Sequence, residues 1–391
     1  MTDPGRPVLP PEANPRRFLC DTINMTNAPS SSTPSAGHGP PADDRLHVFG
    51  QTPDTLKQWL GERGHKPFRA AQILEWVYSH RADSFDEMSN LSKALRAELK
   101  GSAAIFQSRI AHRADSADGT VKLLLRWADG ATTECVLIPD AERNTACIST
   151  QVGCPVGCVF CASGLDGLQR NLTAGQIVEQ AARVAGLCHP ERLSNVVFMG
   201  LGEPLANYRA TVAAVRTINA AWGLGIGARK ITVSTVGLPS QMRRLADEGL
   251  QITLALSVHA PTDELRRRLI PWAESVTLDE LVAAARDYFD KTGREVTLEY
   301  ILLGGLNDGP EHARQLATLA RRMRSNVNLI AYNPVPSLPY KRPSDPAQTT
   351  FLNLLRERGV NTHLRRSRGL DIAAACGQLR RQRQGEVGIE D

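Results

Sequence analysis

No stretch of this sequence approaches the roughly 20 consecutive apolar residues that span a bilayer as a helix. Its start, MTDPGRPVLPPEANPRR, lacks the apolar centre of a secretory signal. The two absences argue against a helical membrane protein and lead to the expectation of a cytoplasmic one. A strong excess of either charge is also missing, since 46 Lys and Arg face 41 Asp and Glu for a net +5. Composition alone therefore does not mark a nucleic-acid binder. Basic residues cluster locally instead, in Arg266-Arg267-Arg268, in Arg321-Arg322-Met323-Arg324, in Arg365-Arg366-Ser367-Arg368 and at Arg380, Arg381 and Arg383. Such runs serve phosphate contacts or simply form solvated helix faces and chain ends, and charge alone favours the second reading. The eight cysteines do not suggest a disulfide framework in a reducing compartment. Cys20, Cys135 and Cys188 have no informative neighbours.

What is present is organised in blocks. Residues 1–51 form a Pro- and Ser-rich extension that cannot bury enough apolar surface to offset ordering, and disorder is expected there. Residues 52–100 carry helical spacing at Leu56, Trp59 and Leu60, at Ile73, Trp76 and Val77, and at Leu91, Leu95 and Leu99. That predicts a small helical domain. In 101–146 the alternation after Val121, the turn at Asp129-Gly130 and the run from Thr133 to Ile138 predict a β-hairpin. From 147 to 380 strand signals at 195–199, 230–234, 252–257, 296–303 and 327–332 alternate with helical patterns at 176–187, 208–221 and 278–291. Alternation of this kind implies an α/β fold with a parallel sheet and helices outside it. Conspicuous polar residues fall at the ends of the strand candidates, which favours a barrel with its site at the carboxyl end. A basic and polar tail, 381–391, closes the chain.

The densest chemical signal is Cys154-x-x-x-Cys158-x-x-Cys161. Thiolates ligate iron–sulfur clusters, and a four-iron cluster usually takes four. Three in one compact loop leave one iron open to a substrate. Gly153 and Gly157 permit tight turns around it, and Phe160 precedes the last cysteine. A structural zinc site completed by His189 or another cysteine is the competing reading.

Together with Lys66-Pro-Phe-Arg-Ala70, Ser149-Thr-Gln-Val-Gly-Cys154, Met199-Gly-Leu-Gly-Glu-Pro-Leu205, Ser257-Val-His-Ala-Pro261 and Ala374-Ala-Cys-Gly-Gln-Leu379, the triplet makes the stretch 52–380 resemble the RlmN/Cfr family of radical S-adenosylmethionine RNA methyltransferases. The resemblance implies a partial (β/α)6 TIM-like radical SAM barrel with an N-terminal helical RNA-binding accessory domain. It implies a [4Fe-4S] cluster on Cys154, Cys158 and Cys161, and two S-adenosylmethionine molecules per turnover. One methylates a cysteine, matched here by Cys376. The other yields a 5′-deoxyadenosyl radical that abstracts hydrogen from that methyl, and the carbon radical adds to adenine. Cys147 matches the thiol that resolves the protein–RNA adduct, and Glu134 the proton acceptor. Gly202, Glu203, Ser234, Ser257, Val258, His259 and Asn333 match positions that hold S-adenosylmethionine. Leu370 and Ala373 depart from the acidic residues common at these positions in the family.

The activity implied is methylation of adenine C2 in 23S rRNA and of adenine 37 in a subset of tRNAs, by a monomer served by a flavodoxin or ferredoxin. Methylation at C8, the Cfr-type activity, uses the same cysteines and stays open. A protein-directed radical enzyme and a zinc-stabilised RNA-binding protein are the rivals from other classes.

Overall fold

The computed structural model describes residues 44–188 and 190–380. The expected disorder of the N-terminal extension and the basic tail, like Cys20 and His189, lie largely or wholly outside them. The described chain opens with β1 (Leu46–His47), followed by α1 (Pro53–Gly61), α2 (Arg69–Tyr78) and α3 (Lys93–Ser102). Of the residues the spacing predicted, Leu56, Leu60, Ile73, Val77, Leu95 and Leu99 are buried on their helices, Leu91 is buried just ahead of α3, and Trp59 and Trp76 are half-buried. Thr52 caps α1 ahead of Pro53, and Ser92 caps α3. Strand β2 (Ala103–Ala104) then pairs in parallel with β1. This pairing begins six residues before the expected module edge at 52 and closes the helices into a loop.

Next come β3 (Arg109–Asp115), β4 (Val121–Arg126), β5 (Thr132–Asp140) and β6 (Arg143–Cys147), an antiparallel meander containing the predicted hairpin. A short ribbon, β7 (Gln151–Gly153) with β8 (Leu168–Asn171), brackets the cysteine loop. The chain continues through α4 (Ala174–Leu187), β9 (Asn195–Phe198), α5 (Tyr208–Asn219), β10 (Ile231–Thr235), α6 (Pro239–Asp247) and β11 (Thr253–Ser257). Then follow α7 (Asp263–Leu269), α8 (Leu278–Thr292), β12 (Val296–Leu302), α9 (Pro310–Ala320), β13 (Ser325–Ala331), α10 (Asp345–Glu357) and β14 (Thr362–Arg365).

All but β1, β2, β7 and β8 join one ten-stranded sheet, ordered β14-β13-β12-β11-β10-β9-β6-β5-β4-β3. From β6 to β14 every neighbour pair is parallel. Six of these strands are followed by helices, which is the (β/α)6 open barrel; β14 is a seventh parallel strand that the sequence pattern did not reveal. Strand β6 belongs to meander and barrel alike, so the boundary expected at 146 falls inside a strand. Ile231 and Val233 of β10 are buried under the helices, whereas Thr232 and Ser234 between them stay partly exposed toward the barrel interior. No helix among the described residues is long and apolar enough to cross a membrane.

One buried carboxylate ties the N-terminal module to the barrel. Glu179 of α4 accepts the backbone N–H groups of Gln107 (2.8 Å) and Ser108 (2.9 Å), together with the Ser108 hydroxyl. His47 Nε2 stands 3.0 Å away. At Gly175, on the next turn back, an added Cβ would lie 2.6 Å from His47 Nδ1, so only glycine allows this approach. Burial opposes ionisation of Glu179, but its hydrogen bonds from His47, Ser108 and Gln107 prevail and hold its pKa below the ordinary 4.5. Because the folded pKa is depressed, this stabilisation is complete above pH 4.5 and drains away as pH falls through the lower folded value. Glu179→Ala is expected to lower stability by about 3–5 kcal/mol at neutral pH. Urea titration at pH 7 and at pH 3 checks this: the loss should shrink in acid, and an equal loss at both pH values would remove the carboxylate from the account.

Candidate active site

The carboxyl ends of the barrel strands border a cavity of about 150 Å3. Gly202 and Glu203 follow β9, Ser234 lies on β10, Ser257 ends β11, and His259 stands two residues beyond. All five line the cavity, as do Cys154, Cys158, Cys161 and Cys376. Nine of the thirteen residues singled out from the sequence therefore share one space.

The cysteine loop is shaped by its glycines. Gly153 has φ +77°, and a Cβ there would lie 2.0 Å from the Gly167 carbonyl oxygen, so β7 and β8 close around the loop only with glycine. Burial pushes the Cys154 thiol up to about 12 and the thiols of Cys158 and Cys161 upward as well, with each neighbouring cysteine adding to the effect. Left alone, these groups stay neutral; bound cations reverse that and hold them as thiolates. Backbone N–H groups of Val156 and Gly202 point at the Cys154 sulfur, and those of Ser163 and Gly164 at Cys161. Amide donors around sulfur are among the features that set the properties of an iron–sulfur cluster, so the loop fits one. Among the described residues no three His, Cys, Asp or Glu side chains gather around a single-ion position.

Several polar groups around the cavity are held in place by hydrogen bonds. The Glu203 carboxylate accepts the backbone N–H groups of Leu205 (2.9 Å) and Val236 (2.8 Å). Burial nevertheless raises its pKa to about 7. Gly202, at φ +103°, lies so close to Gln151 that a Cβ would meet that side chain at 2.7 Å. Ser234 and Ser257 place their hydroxyls 3.5 Å apart. His259 has φ +56° and accepts the Ile301 N–H at Nδ1 (3.1 Å), which makes Nε2 the protonated, donating nitrogen. Burial, helped by the Arg266 guanidinium, lowers its pKa to about 3, so it is neutral at physiological pH. Phe160 meets the His259 ring edge-on at 5.0 Å.

Two of the expected cofactor residues do not border this cavity. Val258 is buried in the apolar core with its N–H donated to the Glu299 carbonyl, so any contact it makes is through backbone. Asn333 donates its side-chain amide to the Cys376 carbonyl (3.1 Å) and accepts from Arg342 and Ser367. It holds the cysteine segment. Glu134 is not the surface charge a hairpin position suggests, being 1% exposed. Its carboxylate sits 2.9 Å from Lys122 Nζ and accepts the Arg380 N–H at 2.9 Å. Burial raises its pKa against the pull of Lys122. It borders a separate groove with Lys122, Leu370 and Ala373, not the cavities of the thiols.

Cys147, at the end of β6, and Cys376 face one small gap of about 60 Å3. Cys376 thus borders both this gap and the cluster-side cavity. Burial, reinforced by the Cys376 thiol, pushes Cys147 up to about 12, while the Arg365 guanidinium pulls it down. Met199 and Arg365 line the same two spaces. Sequence reasoning read Arg365 as part of a charge run and passed over Met199. It also missed Glu299, although a lone acid inside the apolar run Val296 to Leu303 was a legible signal. Arg266, read as part of a solvated or phosphate-binding run, is instead 1% exposed and donates to the carbonyls of Val236 and Val276.

Comparison with known proteins agrees with this geometry. Residues 46–105 match the ribosomal RNA large subunit methyltransferase N-terminal domain, and residues 148–317 the radical SAM superfamily. A probable dual-specificity RNA methyltransferase RlmN from Rhodopirellula baltica is 49% identical over 95% of this chain and 99% of its own. The corresponding protein of Bacillus velezensis is 48% identical over 85% of this chain and 93% of its own. A radical SAM methyltransferase from Sphaerobacter thermophilus superposes with a TM-score of 0.84 at 44% identity, covering 85% of this chain and 99% of that one. With relatives this similar over nearly their whole length, the chain belongs to the RlmN family of radical SAM RNA methyltransferases.

Proposed function

We propose that the enzyme methylates C2 of an adenine in the peptidyl transferase region of 23S rRNA, and of adenine 37 in a subset of tRNAs. The observation that carries this reading is the position of Cys376, which borders the cavity of Cys154, Cys158 and Cys161 on one side and the gap of Cys147 on the other. An aromatic carbon flanked by ring nitrogens is a poor nucleophile, so direct attack on a sulfonium methyl is not available to it. When bound, the cluster and S-adenosylmethionine supply the methyl group and the hydrogen-abstracting radical. Gly202, Glu203, Ser234, Ser257 and His259 would hold S-adenosylmethionine beside the cysteine loop, where neutral His259 can donate from Nε2. The Cys376 sulfur takes the methyl of a first S-adenosylmethionine, and the carbon later bridges that sulfur and the base. Once the radical adduct has returned one electron to the oxidised cluster and a proton has left the substituted ring carbon, Cys147 as thiolate would attack the Cys376 sulfur. The S–S bond forms as the bond from that sulfur to the bridging carbon breaks, and the freed carbon keeps the electron pair and takes up a proton to become the methyl group.

Glu134 is the proton acceptor by resemblance alone; its oxygens here hold Lys122 and the Arg380 N–H. A base must lie within hydrogen-bond reach of its proton, so in this role segment 369–380 shifts when RNA binds. The target base is unstacked to reach so enclosed a site, and the N-terminal module grips folded RNA by shape and phosphate contacts. Two S-adenosylmethionine molecules are used per turnover, electrons come from a flavodoxin or ferredoxin, and the enzyme works as a cytoplasmic monomer.

Digestion of RNA modified by the anaerobically reconstituted enzyme should release 2-methyladenosine. Release of 8-methyladenosine alone would replace this reading with the C8 activity, and absence of either product would overturn methylation of adenine. The two thiols should fail in different ways. Cys376→Ala should lose all methyl transfer yet still cleave S-adenosylmethionine, whereas Cys147→Ala should accumulate protein covalently joined to RNA. Gel electrophoresis under denaturing conditions reads the second outcome, and full turnover by either variant would remove that cysteine from the mechanism.

A further inference from the structure

The amino-terminal half of the barrel is not filled. Closed barrels of this type pack their interior with layers of branched apolar side chains. Here the strands instead turn Asn195, Thr232, Thr253, Thr297 and Asn328 inward around a cavity of about 710 Å3. That is within the range of about 300–1,000 Å3 usual for pockets that hold small ligands. The space opens at the strand ends opposite those that carry the cluster loop. Met199, Arg365 and Glu299 border both it and the cluster-side cavity, and Met199 and Arg365 also border the gap between Cys147 and Cys376. Ile138, Arg366 and Arg368 are likewise shared between the large cavity and the gap.

Two features say what kind of group fits. The first is Glu299, in the middle of β12 and 3% exposed. Its Oε1 accepts the Asn328 side-chain amide at 3.0 Å, but Oε2 has no hydrogen bond and faces Arg365 only at 3.9 Å. A buried carboxyl oxygen left without a donor is costly, and this one lines the cavity. It accepts from an N–H group that the protein itself does not supply. The second is the rim, where Arg366 is exposed and makes no hydrogen bond or ion pair among the described residues. Arg368 beside it has a single loose pairing, 3.6 Å from Asp140. Guanidinium groups at a mouth suit phosphate.

We infer that this amino-terminal cavity admits the target nucleotide, with Glu299 Oε2 accepting the exocyclic amino group of adenine while Arg366 and Arg368 hold the flanking phosphates. The inference rests on the proposal that the substrate is an adenine in RNA. An acceptor at this place also selects against guanine, whose carbonyl oxygen occupies the position of the adenine amino group. Cofactor and substrate thereby approach Cys376 from opposite ends of the barrel, and Met199 and Arg365 form the layer between them.

The test uses an RNA hairpin that the enzyme methylates, made with either adenosine or purine riboside, which lacks the amino group, at the methylated position. Wild-type enzyme is expected to bind the adenosine RNA about 10-fold more tightly, a difference of about 1.4 kcal/mol. Glu299→Met should erase that preference. Equal wild-type affinity for the two RNAs, or a preference that survives in Glu299→Met, overturns the assignment. Should Glu299→Met fail to fold, the wild-type comparison and the exposed rim still decide. Arg366→Ala with Arg368→Ala should lower the slope of log affinity against log salt by about 0.7 for each lost phosphate contact, and an unchanged slope overturns the rim contacts. If the enzyme still produces 2-methyladenosine while these binding results fail, only this inference falls. If it methylates no RNA, the functional proposal falls with it.

Discussion

Residues 369–380 form no helix or strand, and the place of Cys376 beside Cys147 depends on how firmly that segment is tied down. The meander grips one flank: Asp118 accepts the Gly369 N–H at 2.9 Å, Ser116 donates to Asp371 at 2.6 Å, and Lys122 donates to the Ala373 carbonyl at 3.2 Å. Glu134 takes the Arg380 N–H on the far side. The barrel grips the middle, through Ala162 N–H to the Gly377 carbonyl at 2.8 Å, Ser163 to the Leu379 carbonyl at 2.7 Å and Asn333 to the Cys376 carbonyl at 3.1 Å. Most of these bonds satisfy backbone groups that regular structure would otherwise pair. The segment can therefore hold a cysteine between two cavities without the rigidity of a helix. Ala373 sits at φ +50°, a conformation that non-glycine residues rarely adopt and that the surrounding bonds impose.

The same dependence explains why meander and barrel share one sheet. Were the antiparallel strands a separate lobe, Lys122 and Glu134 would move relative to Asn333 and Ser163, and Cys376 would have no fixed place. Strand β6 removes that freedom, because it pairs with β5 on one side and β9 on the other. Its last residue is Cys147. This thiol thus stands on the seam, and the segment carrying Cys376 is anchored to both sides of that seam. At the opposite end Glu179 does comparable work for the N-terminal module, joining it to α4 through backbone and side-chain donors.

Much of this was legible in residue order. Helices α1 to α3 announced themselves by apolar spacing, and five parallel strands by their apolar runs, because burial of one face or of a whole strand leaves a recognisable apolar pattern. Strand β14 was hidden since Thr362 to Arg365, at the edge of the sheet, holds one apolar residue, Leu364, and so shows no apolar run. The thiol ligands were legible because their spacing is itself the chemistry. Asn333 and Val258 were harder: motif position places a residue near a cofactor, but cannot tell a side chain that faces the cavity from one that braces its wall. Arg266 and Arg365 sit in similar-looking charge runs, yet one is sealed against backbone carbonyls and the other stands at the junction of three cavities. Only the fold separates them. Polar residues turned into the barrel, such as Thr232 and Asn328, look on paper like ordinary strand residues, so an open interior has no local signature.

The central claim is that Cys376 works between the cluster loop and Cys147 as one half of a thiol pair. It is tested most directly by a single turnover on RNA without added reductant, followed by non-reducing proteolysis and mass spectrometry of the peptides. The account predicts a peptide pair joined through Cys147 and Cys376, formed in proportion to methylated RNA. Methylated RNA accompanied by both cysteines as free thiols, or by Cys376 joined to any other cysteine, would contradict it.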